Sequence, residues 1–465
     1  MDCKIQKKRE NRDILKNSPS LKIVRKLCNR GVVSVDFKRH FKQQFGALKA
    51  AVHRESVPAV DDEDYWLEIR NQFAYDENDQ NDAIPINAAN FAPTFHPVQL
   101  LMNEFNLELN KNISIQNRLD NLAMIIDEAH QVIAAQLGVA RTEVAFMRNG
   151  TEANNNVNNG QLLQPTDEVV LWAQNHPTNH QAWYIRQAQT PFVIHDIPAN
   201  LNGAITDEEI VAQFVNEVNE NTKFLTFSHL SNVSGLLLPA EQICRAVHSV
   251  NPDCHVHVDG AMTWGCMNLN LAQMDCDSYS ASAHKWFLGP KETGLFYMKL
   301  SRIPNFTPNT FGYDPMIVVP EELYTDARRF ELLGQRADPS LMCLLCTAEI
   351  MEDIGFQSIE DRVRYLGTIV FDGFSGFDFP MTTPSDVNQR LGVVIGGVDP
   401  DWGANLYNYL YDTHRIAVAS TSGIRASPHI CNIPDQLQSM LDAIEEYIGL
   451  YPPPPPPETV IYSKW

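Results

Sequence analysis

The stretch His255-Val256-His257-Val258-Asp259 is a short, valine-rich run that ends in an aspartate. The next short run, 277–281, leads directly into Ser282-Ala283-His284-Lys285. Runs of this length and composition are typical of buried strands in a parallel sheet. Because ligands bind beyond the carboxyl ends of such strands, Asp259 and Lys285 are predicted to share one site.

An aspartate that closes one strand and a lysine just past the next are typical of a pyridoxal phosphate (PLP) site. The lysine amine forms a Schiff base with the cofactor aldehyde, and the carboxylate keeps the pyridine nitrogen protonated, so that the ring accepts electrons. Most lysines are solvated surface residues. The interpretation of Lys285 therefore depends on the rest of the chain.

Short apolar runs and longer amphipathic stretches alternate between residues 144 and 300. The predicted strands are 144–147, 168–172, 192–195, 224–227, 255–259, 277–281 and 295–299. The predicted helices between them are 151–164, 179–189, 207–219 and 239–250. Each gap is long enough for a crossover connection, so we predict an α/β fold with a mostly parallel seven-stranded sheet.

The pattern changes after Phe311. A helix is predicted to start after Asp338-Pro339 and to run through Met351, followed by strands at 391–395, 416–419 and 423–426 and helices at 402–413 and 433–449. This alternation predicts a smaller C-terminal α/β domain. The chain is therefore divided into a basic N-terminal extension (1–58), a large domain with a lead-in segment (59–330), the smaller domain (331–450) and a proline-rich tail (451–465).

The formal net charge of −21 is unevenly distributed. Residues 1–54 contain 15 Lys and Arg and four acids, which leaves the remainder strongly acidic. An acidic body argues against nucleic acid as a partner, because phosphate neutralisation needs clustered basic residues. No stretch approaches the roughly 20 apolar residues that span a bilayer, so no membrane association is expected. The basic N-terminus is predicted to be a solvated extension with a helix around Phe37–Val52.

The nine cysteines are scattered and odd in number. This pattern suits free thiols in a reducing compartment, and we expect a cytoplasmic protein. Cys343 and Cys346 have the spacing of a metal or redox pair, but they lie in an apolar helical stretch with no second pair. We therefore predict buried structural cysteines there and no metal site.

The turn Arg148-Asn149-Gly150-Thr151 follows a predicted strand and opens a helix. Free backbone N–H groups and the positive end of a helix dipole suit a phosphate, and Thr151 adds a hydroxyl donor. Turns of this kind also merely cap helices, so the motif alone is a weak signal. Upstream of an aspartate and a lysine at this spacing, it becomes a strong one.

Together with Ser231-Asn232-Val-Ser-Gly235 and Arg425-Ala-Ser-Pro-His429, these motifs resemble those of the class V aminotransferase family. The likeness is greatest to the branch that includes isopenicillin N epimerase and cysteine desulfurases, and it extends from about Tyr65 to Tyr447. It implies a fold type I PLP-dependent transferase with PLP as cofactor, an amino-acid substrate and a homodimeric assembly.

The resemblance also implies a role for each matching cofactor residue. Lys285 would carry the cofactor and Asp259 would pair with the pyridine nitrogen. His176 matches the histidine that stacks on the ring and relays protons, although a loop histidine with a local hydrogen bond is the alternative. The phosphate would be held by Gly150, Thr151, Ser282 and His284.

Two further matches are a cofactor contact, Asn232, and a substrate contact, Arg425. Asn232 would hydrogen-bond near the cofactor O3′. Arg425 would bind the substrate α-carboxylate, because its planar guanidinium offers a bidentate fork. The alternative for Arg425 is an interdomain salt bridge.

The chain also departs from the family pattern. Met262 stands where relatives place a Gln or His that contacts the ring, and a thioether cannot donate a hydrogen bond. The loop Ile416–Arg425 lacks the cysteine that desulfurases of this family use as nucleophile. Persulfide chemistry by the usual route is therefore not expected.

The scaffold alone does not select the reaction. Transamination, epimerisation, elimination by a lyase and a C–C bond-forming cyclisation all remain open. A catalytically silent PLP-fold binding protein is an alternative, but the joint presence of Lys285, Asp259 and Arg425 argues against it. A nucleotide-binding α/β protein is remote, because the chain lacks both a Gly-x-Gly-x-x-Gly turn and a Gly-Lys-Ser/Thr loop.

Overall fold

The computed structural model describes residues 15–54, 56–79, 81–111, 115–198, 205–310, 312, 326–334 and 336–454, with only the backbone described for 115–122. Of the predicted proline-rich tail, residues 451–454 are described and exposed, and 455–465 lie outside the described residues. Residues 1–14 of the basic extension lie outside them as well.

Eleven strands form three sheets within the described residues. They are β1 (Ile84–Pro85), β2 (Val144–Met147), β3 (Glu168–Trp172), β4 (Val193–Ile197), β5 (Thr222–Ser228), β6 (His255–Asp259), β7 (Ser278–Ser282), β8 (Gly294–Met298), β9 (Val394–Gly396), β10 (Ile416–Ala417) and β11 (Ile424–Ala426). The central sheet has seven strands in the order β2-β8-β7-β6-β5-β3-β4. Strand β8 runs antiparallel to both of its neighbours, and the other pairs are parallel. The predicted, mostly parallel α/β fold is confirmed.

The direction of these strands places several chain segments together. Because β2 and β7 both oppose β8, they run the same way as β6, β5 and β3. Their carboxyl ends therefore meet at one edge of the sheet, where ligands of parallel sheets bind. Strands β6 and β7 are buried along their whole length, as expected for central strands covered on both faces.

Fourteen α-helices are described around these sheets. They are α1 (Pro19–Asn29), α2 (Val35–Val52), α3 (Glu63–Arg70), α4 (His96–Asn110), α5 (Ile115–Gln136), α6 (Gly150–Asn158), α7 (Pro177–Gln187), α8 (Asp207–Asn216), α9 (Ala240–Val250), α10 (Leu271–Met274), α11 (Asp338–Ile354), α12 (Phe356–Gly376), α13 (Pro400–His414) and α14 (Pro434–Leu450). Asn149 immediately precedes α6 and caps it, because its side chain accepts a hydrogen bond from Glu152 N at 3.0 Å. None of the described helices combines the length and apolarity that crossing a bilayer requires.

The N-terminal helices differ from the predicted solvated extension. Phe37, Phe41 and Phe45 share one face of α2 and are buried in the same hydrophobic core as the central sheet. On the next turn, buried Lys49 pairs with Asp353 at 2.6 Å and Glu349 at 3.4 Å, both on α11. The expectation of a solvated segment is wrong for residues 15–54, because the positive charge lies on one face of helices whose other face is apolar.

A second, smaller core lies in the C-terminal region. It contains Leu366, Val370 and Phe374 of α12, together with residues of α13 and α14. Ile84 and Ile86 of the lead-in segment belong to the same core, and β1 pairs in parallel with β10. Helix α11 is instead buried in the larger core. The predicted boundary at residue 331 therefore does not coincide with the division between the two cores.

Cys343 and Cys346 are buried inside α11. Burial raises the pKa of both thiols well above its ordinary value. The prediction of buried structural cysteines is confirmed. Within the described residues, no group of three or more His, Cys, Asp or Glu side chains has the arrangement of a metal site.

Truncation of Phe45 tests whether the N-terminal helices belong to the core. We expect Phe45→Ala to lower the free energy of unfolding by about 3–5 kcal/mol, because a fully buried aromatic side chain leaves a cavity. Urea denaturation measures the change, with exposed Gln43→Ala on the same helix as the control. An equally small effect of both substitutions would contradict the observed packing.

Candidate active site

A pocket opens at the carboxyl edge of the central sheet. Seven of the nine predicted site residues line it: Gly150, Thr151, His176, Asn232, Asp259, Ser282 and Lys285. His284 and Arg425 do not line it.

Lys285 lies in the turn that follows β7, partly buried and facing the pocket. Burial, assisted by the Arg425 guanidinium, lowers the pKa of this lysine to about 8, and Asp259 opposes the shift. Among the described residues no hydrogen bond or ion pair to its amine is found. The lowered pKa increases the fraction of Lys285 that is uncharged at a given pH, and a nucleophilic amine must be uncharged.

Asp259 ends β6 and is buried at the base of the pocket. Its Oδ1 accepts a hydrogen bond from Ala261 N at 3.0 Å, and its Oδ2 accepts one from Asn154 Nδ2 at 3.0 Å. The glycine that follows is required by packing, because a Cβ at Gly260 would lie 1.8 Å from Cζ of Tyr279. The carboxylate is thus held by two donors and a tightly packed turn.

Gly150 and Thr151, at the start of α6, line another side of the pocket. Gly150 N donates to Ser282 Oγ at 2.8 Å, which joins the helix to the end of β7. Thr151 is exposed at the pocket mouth, and no hydrogen bond to its hydroxyl is found among the described residues. The free hydroxyl and the positive end of the helix dipole together suit an anionic group such as a phosphate.

His176 begins α7 and borders the pocket. Its Nδ1 accepts a hydrogen bond from Thr178 N at 3.3 Å and lies 2.9 Å from Thr178 Oγ1. In the neutral ring the proton is therefore on Nε2. Burial, with the nearby Lys285 cation, lowers the pKa of His176, which favours this neutral form. His176 therefore makes the local hydrogen bond and also borders the pocket.

Arg425 lies in β11, almost completely buried, just behind the pocket wall. Its Nη1 donates to the backbone oxygen of Asn232 at 3.0 Å, and its Nη2 donates to Asn90 Oδ1 at 2.7 Å. Its Nε has no partner. Burial lowers the pKa of Arg425 to about 10. The alternative of an interdomain salt bridge is not found within the described part of the chain. A buried guanidinium without an anion is costly, so the site favours an anionic ligand.

The side chain of His284 lies away from the pocket. Its ring packs against Phe91, with 5.9 Å between the ring centroids, and its backbone oxygen accepts a hydrogen bond from Ala92 N. Burial and the neighbouring Lys285 and Lys291 cations lower its pKa to about 4. Because His284 does not line the pocket, its contact with the phosphate stays a prediction.

Other pocket residues were not expected from the sequence. Asn154, Thr178 and Ser228 line the pocket, and Asn90 contacts Arg425. For Asn154 a signal was available, because the run Asn154-Asn155-Asn156 is unfavourable inside a helix unless the side chains have partners. Met262 lines the pocket as expected and supplies no donor.

The arrangement fits PLP in its charges and functional groups. The pocket offers an unpaired amine for the aldehyde, a carboxylate for a basic ring nitrogen, and a helix start for the phosphate. The Arg425 guanidinium has no anionic partner among the described residues and contacts Asn232, which lines the pocket. It therefore favours a second anionic group at that side of the pocket. This combination of α/β fold and site defines the class of fold type I PLP-dependent enzymes.

The comparisons with known proteins identify the family. Residues 87–434 match the model of the family described as aminotransferase class-V, and the chain belongs to that family of PLP-dependent enzymes. It is 24% identical over 377 residues to a probable cysteine desulfurase of Pyrococcus abyssi, covering 76% of this chain and 91% of the relative. It is 25% identical over 342 residues to isopenicillin N epimerase of Amycolatopsis lactamdurans, covering 68% and 84%.

Solved structures share the fold. The apo cysteine desulfurase of Thermococcus onnurineus superposes with a TM-score of 0.69 at 20% identity, covering 81% of this chain and 98% of that structure. A C-DES variant with glycine covalently linked to the PLP cofactor has a TM-score of 0.69 at 21% identity, with 80% and 98% covered. The predicted fold type I architecture is confirmed.

The lowered pKa of Lys285 predicts a pH-dependent effect on stability. Below pH 8 this lysine is charged in both the folded and unfolded states, and burial of the charge opposes folding. Between about pH 8 and 10.5 only the unfolded state keeps the proton, so the penalty disappears. We expect cofactor-free Lys285→Met to be more stable than the parent at pH 7, on the order of 1–3 kcal/mol, because one pKa unit is about 1.4 kcal/mol.

Urea denaturation at pH 7 and pH 10.5 measures this difference, with exposed Lys22→Met as the control. The gain of Lys285→Met shrinks at the higher pH, and the control shows no such change. A stability difference that is independent of pH would contradict a buried, shifted amine.

Proposed function

We propose that this class V enzyme cleaves the Cα–H bond of an amino-acid substrate, with Lys285 as the residue that holds PLP. One observation carries the proposal: the free amine of Lys285 interacts electrostatically with both the buried Asp259 carboxylate and the buried Arg425 guanidinium, which has no anionic partner among the described residues. An amino acid bound to PLP needs these three groups. The amine serves the cofactor aldehyde, the carboxylate serves the ring nitrogen, and the guanidinium serves the substrate carboxylate.

The cofactor would be held at three points. Lys285 binds its aldehyde carbon, the start of α6 with Thr151 and Ser282 binds its phosphate, and Asp259 holds a proton at the ring nitrogen. Neutral His176 presents a flat ring at the pocket wall, which suits stacking on an aromatic cofactor. Bound PLP supplies an electron sink for the electron pair that remains when a substituent leaves Cα.

Arg425 would bind the substrate carboxylate. Asn232 O and Asn90 Oδ1 fix the guanidinium through one hydrogen of each Nη, and the Nε–H stays available. A carboxylate that binds the free edge orients the substrate, and orientation decides which bond at Cα breaks. Asn232, on the same wall, would contact the cofactor oxygen next to the aldehyde.

Lys285 would also move the proton. Once the substrate amine has replaced it, the lysine amine is free again, and a pKa of about 8 gives it a larger unprotonated fraction near neutral pH than an ordinary lysine has. A base with a pKa close to the working pH transfers protons efficiently. The burial that lowers the pKa of Lys285 therefore prepares it both to bind the aldehyde and to accept the Cα proton.

The cysteines of the described residues argue against persulfide transfer. Seven of these eight thiols are buried, Cys28 is partly buried, and none lines the pocket. A nucleophilic thiol needs exposure and a lowered pKa. The persulfide route expected of desulfurases thus has no thiol at this pocket, which favours Cα–H chemistry. Transamination, epimerisation, elimination and cyclisation are the outcomes to be separated by experiment.

Lys285→Ala is expected to abolish the borohydride-reducible PLP adduct, because no second amine lines the pocket among the described residues. Mass spectrometry of the digested, reduced protein locates the adduct, with exposed Lys291→Ala as the control. The same proteins are incubated with a panel of amino acids in D₂O. We expect the parent and Lys291→Ala to incorporate deuterium at Cα and Lys285→Ala to incorporate none.

The products separate the reactions. Deuterium with the amino group retained indicates epimerisation or racemisation, a keto acid indicates transamination, and loss of a side-chain group indicates a lyase. A carbon–carbon linked product indicates a cyclase. An adduct that survives in Lys285→Ala, or a parent enzyme without exchange across the panel, would contradict the proposal.

Arg425→Gln is expected to raise KM and lower kcat/KM by about 10–100-fold, because a charge-assisted hydrogen bond contributes ~1.5–3 kcal/mol and 1.36 kcal/mol is tenfold. The absorbance of bound PLP should remain. Arg425→Lys keeps the charge but not the fork and should recover part of the loss. Steady-state kinetics measure both, with exposed Arg245→Gln as the control. An unchanged KM would exclude Arg425 from substrate binding.

The family resemblance further suggests a homodimer in the cytoplasm. Thr151 is exposed at the mouth of the pocket. In a dimer, a second subunit at this mouth would complete the site. Light scattering of the holoenzyme determines the number of subunits.

A further inference from the structure

A chain of buried polar side chains leads away from Asp259 through the middle of the central sheet. Asn154 Nδ2 donates to Asp259 Oδ2 at 3.0 Å, and His257 Nε2 lies 3.0 Å from Asn154 Oδ1. His257 Nδ1 lies 2.8 Å from Ser278 Oγ, and His255 Nε2 lies 2.8 Å from the same oxygen. All five side chains are at most 4% exposed. Ser280 Oγ also contacts Asn154 Oδ1.

The direction of every hydrogen bond in this chain can be assigned. The Asp259 oxygens are acceptors, so the amide nitrogen of Asn154 faces them and its oxygen faces His257. An amide oxygen only accepts, so His257 carries its proton on Nε2. The other nitrogen of a neutral ring is then an acceptor, and Ser278 must donate its single hydroxyl proton to His257 Nδ1.

The last bond follows in the same way. Since the Ser278 proton points to His257, the Ser278 oxygen accepts from His255 Nε2–H. His255 Nδ1 is then an unprotonated acceptor, and it is the atom of this ring that has no partner. An unmet acceptor costs less than an unmet buried donor. The assignment thus accounts for each polar atom, and every donor points toward Asp259.

Charge supports a single arrangement of protons. Burial lowers the pKa of His255 to about 4 and the pKa of His257 to about 3, so both rings are neutral at ordinary pH. The titratable and charged groups that act on the two rings are Asp277, Arg302 and His248 near His255, and Asp259 and His255 near His257. Hydrogen bonds that all run one way polarise each other and strengthen the last donor in the row.

We propose that Asn154 and His257 are positioning residues that fix the Asp259 carboxylate through a directed row of hydrogen bonds and so keep the shared proton on the cofactor's ring nitrogen. This inference rests on the role of Asp259 in the proposed function. Each donor to a carboxylate stabilises its negative charge and reduces its affinity for a proton. Met262, at the same pocket, offers no donor to the ring. The ring nitrogen is therefore tuned by the hydrogen-bond donors to Asp259 and not by Met262.

Loss of the Asn154 donor would make Asp259 more basic and draw the shared proton away from the ring nitrogen. A less positive ring withdraws fewer electrons from the linkage between Lys285 and the cofactor. The linkage nitrogen then becomes more basic. We expect its pKa, read from the visible absorbance of the holoenzyme, to rise by about one unit in Asn154→Leu. One unit is a tenfold change in the protonation equilibrium.

Two variants separate this role from simple packing. Asn156→Leu is the matched control, because Asn156 is equally buried on the same helix but binds Glu152 O and Met147 instead of Asp259. It should destabilise the protein without moving the absorbance titration. His257→Leu should raise the pKa less than Asn154→Leu does, and His257→Gln, whose amide donates from a similar position, should restore it.

The titration has a clear contrary result. An unchanged absorbance pKa in Asn154→Leu, with a loss of stability like that of Asn156→Leu, would overturn the proposal and leave a structural role. The same conclusion follows if His257→Leu and His257→Gln behave alike.

A second measurement does not depend on Lys285. Nitrogen-15 NMR of histidine-labelled holoenzyme reports the tautomer of each ring, and we expect a proton on Nε2 and none on Nδ1 for His255 and His257. A proton on His257 Nδ1 would overturn the assigned direction. If the parent protein showed no PLP–lysine absorbance, the proposed function would fail, and the tautomers would still test the hydrogen-bond chain.

Discussion

The common direction of the strands is the constraint on which the site depends. Strands β2, β7, β6, β5 and β3 all end at one edge, and only β8 is reversed among them. That edge collects an amine, a carboxylate, a helix start and a histidine that are far apart along the chain. Reversal of any one of these strands would remove a group from the pocket, so the topology and the chemistry cannot change independently.

The charges of the site favour the binding of anionic groups. The described pocket contains one anionic side chain, Asp259, and two cations lie near it: Lys285, whose pKa is lowered, and Arg425, which has no anionic partner among the described residues. A site with this surplus of positive charge is unfavourable when it is empty, because buried charges need compensation. Anionic groups of a cofactor and a substrate supply that compensation. Burial therefore promotes binding and reactivity through the same residues.

Much of this arrangement could be predicted from the sequence, because buried parallel strands are continuous apolar runs and their ends carry the site motifs. The predicted strands at 144–147, 168–172 and 255–259 agree with the structure in full. Asn154 was missed, because a polar residue in a helix usually faces solvent and its partner is distant in sequence. The packing of α2 was missed because its basic residues suggested a solvated segment.

The small C-terminal core is closed by β1, a strand of two residues near the start of the chain that pairs with β10. Two segments that are far apart in the sequence therefore belong to one core. During synthesis on a ribosome, residues 84–86 emerge early and find their partner only after residue 417 has been made. The small core is consequently a late event in folding, and a C-terminal fragment alone would lack one of its strands. The hydrogen bond from Arg425 Nη2 to Asn90 Oδ1 also joins β11 to the lead-in segment.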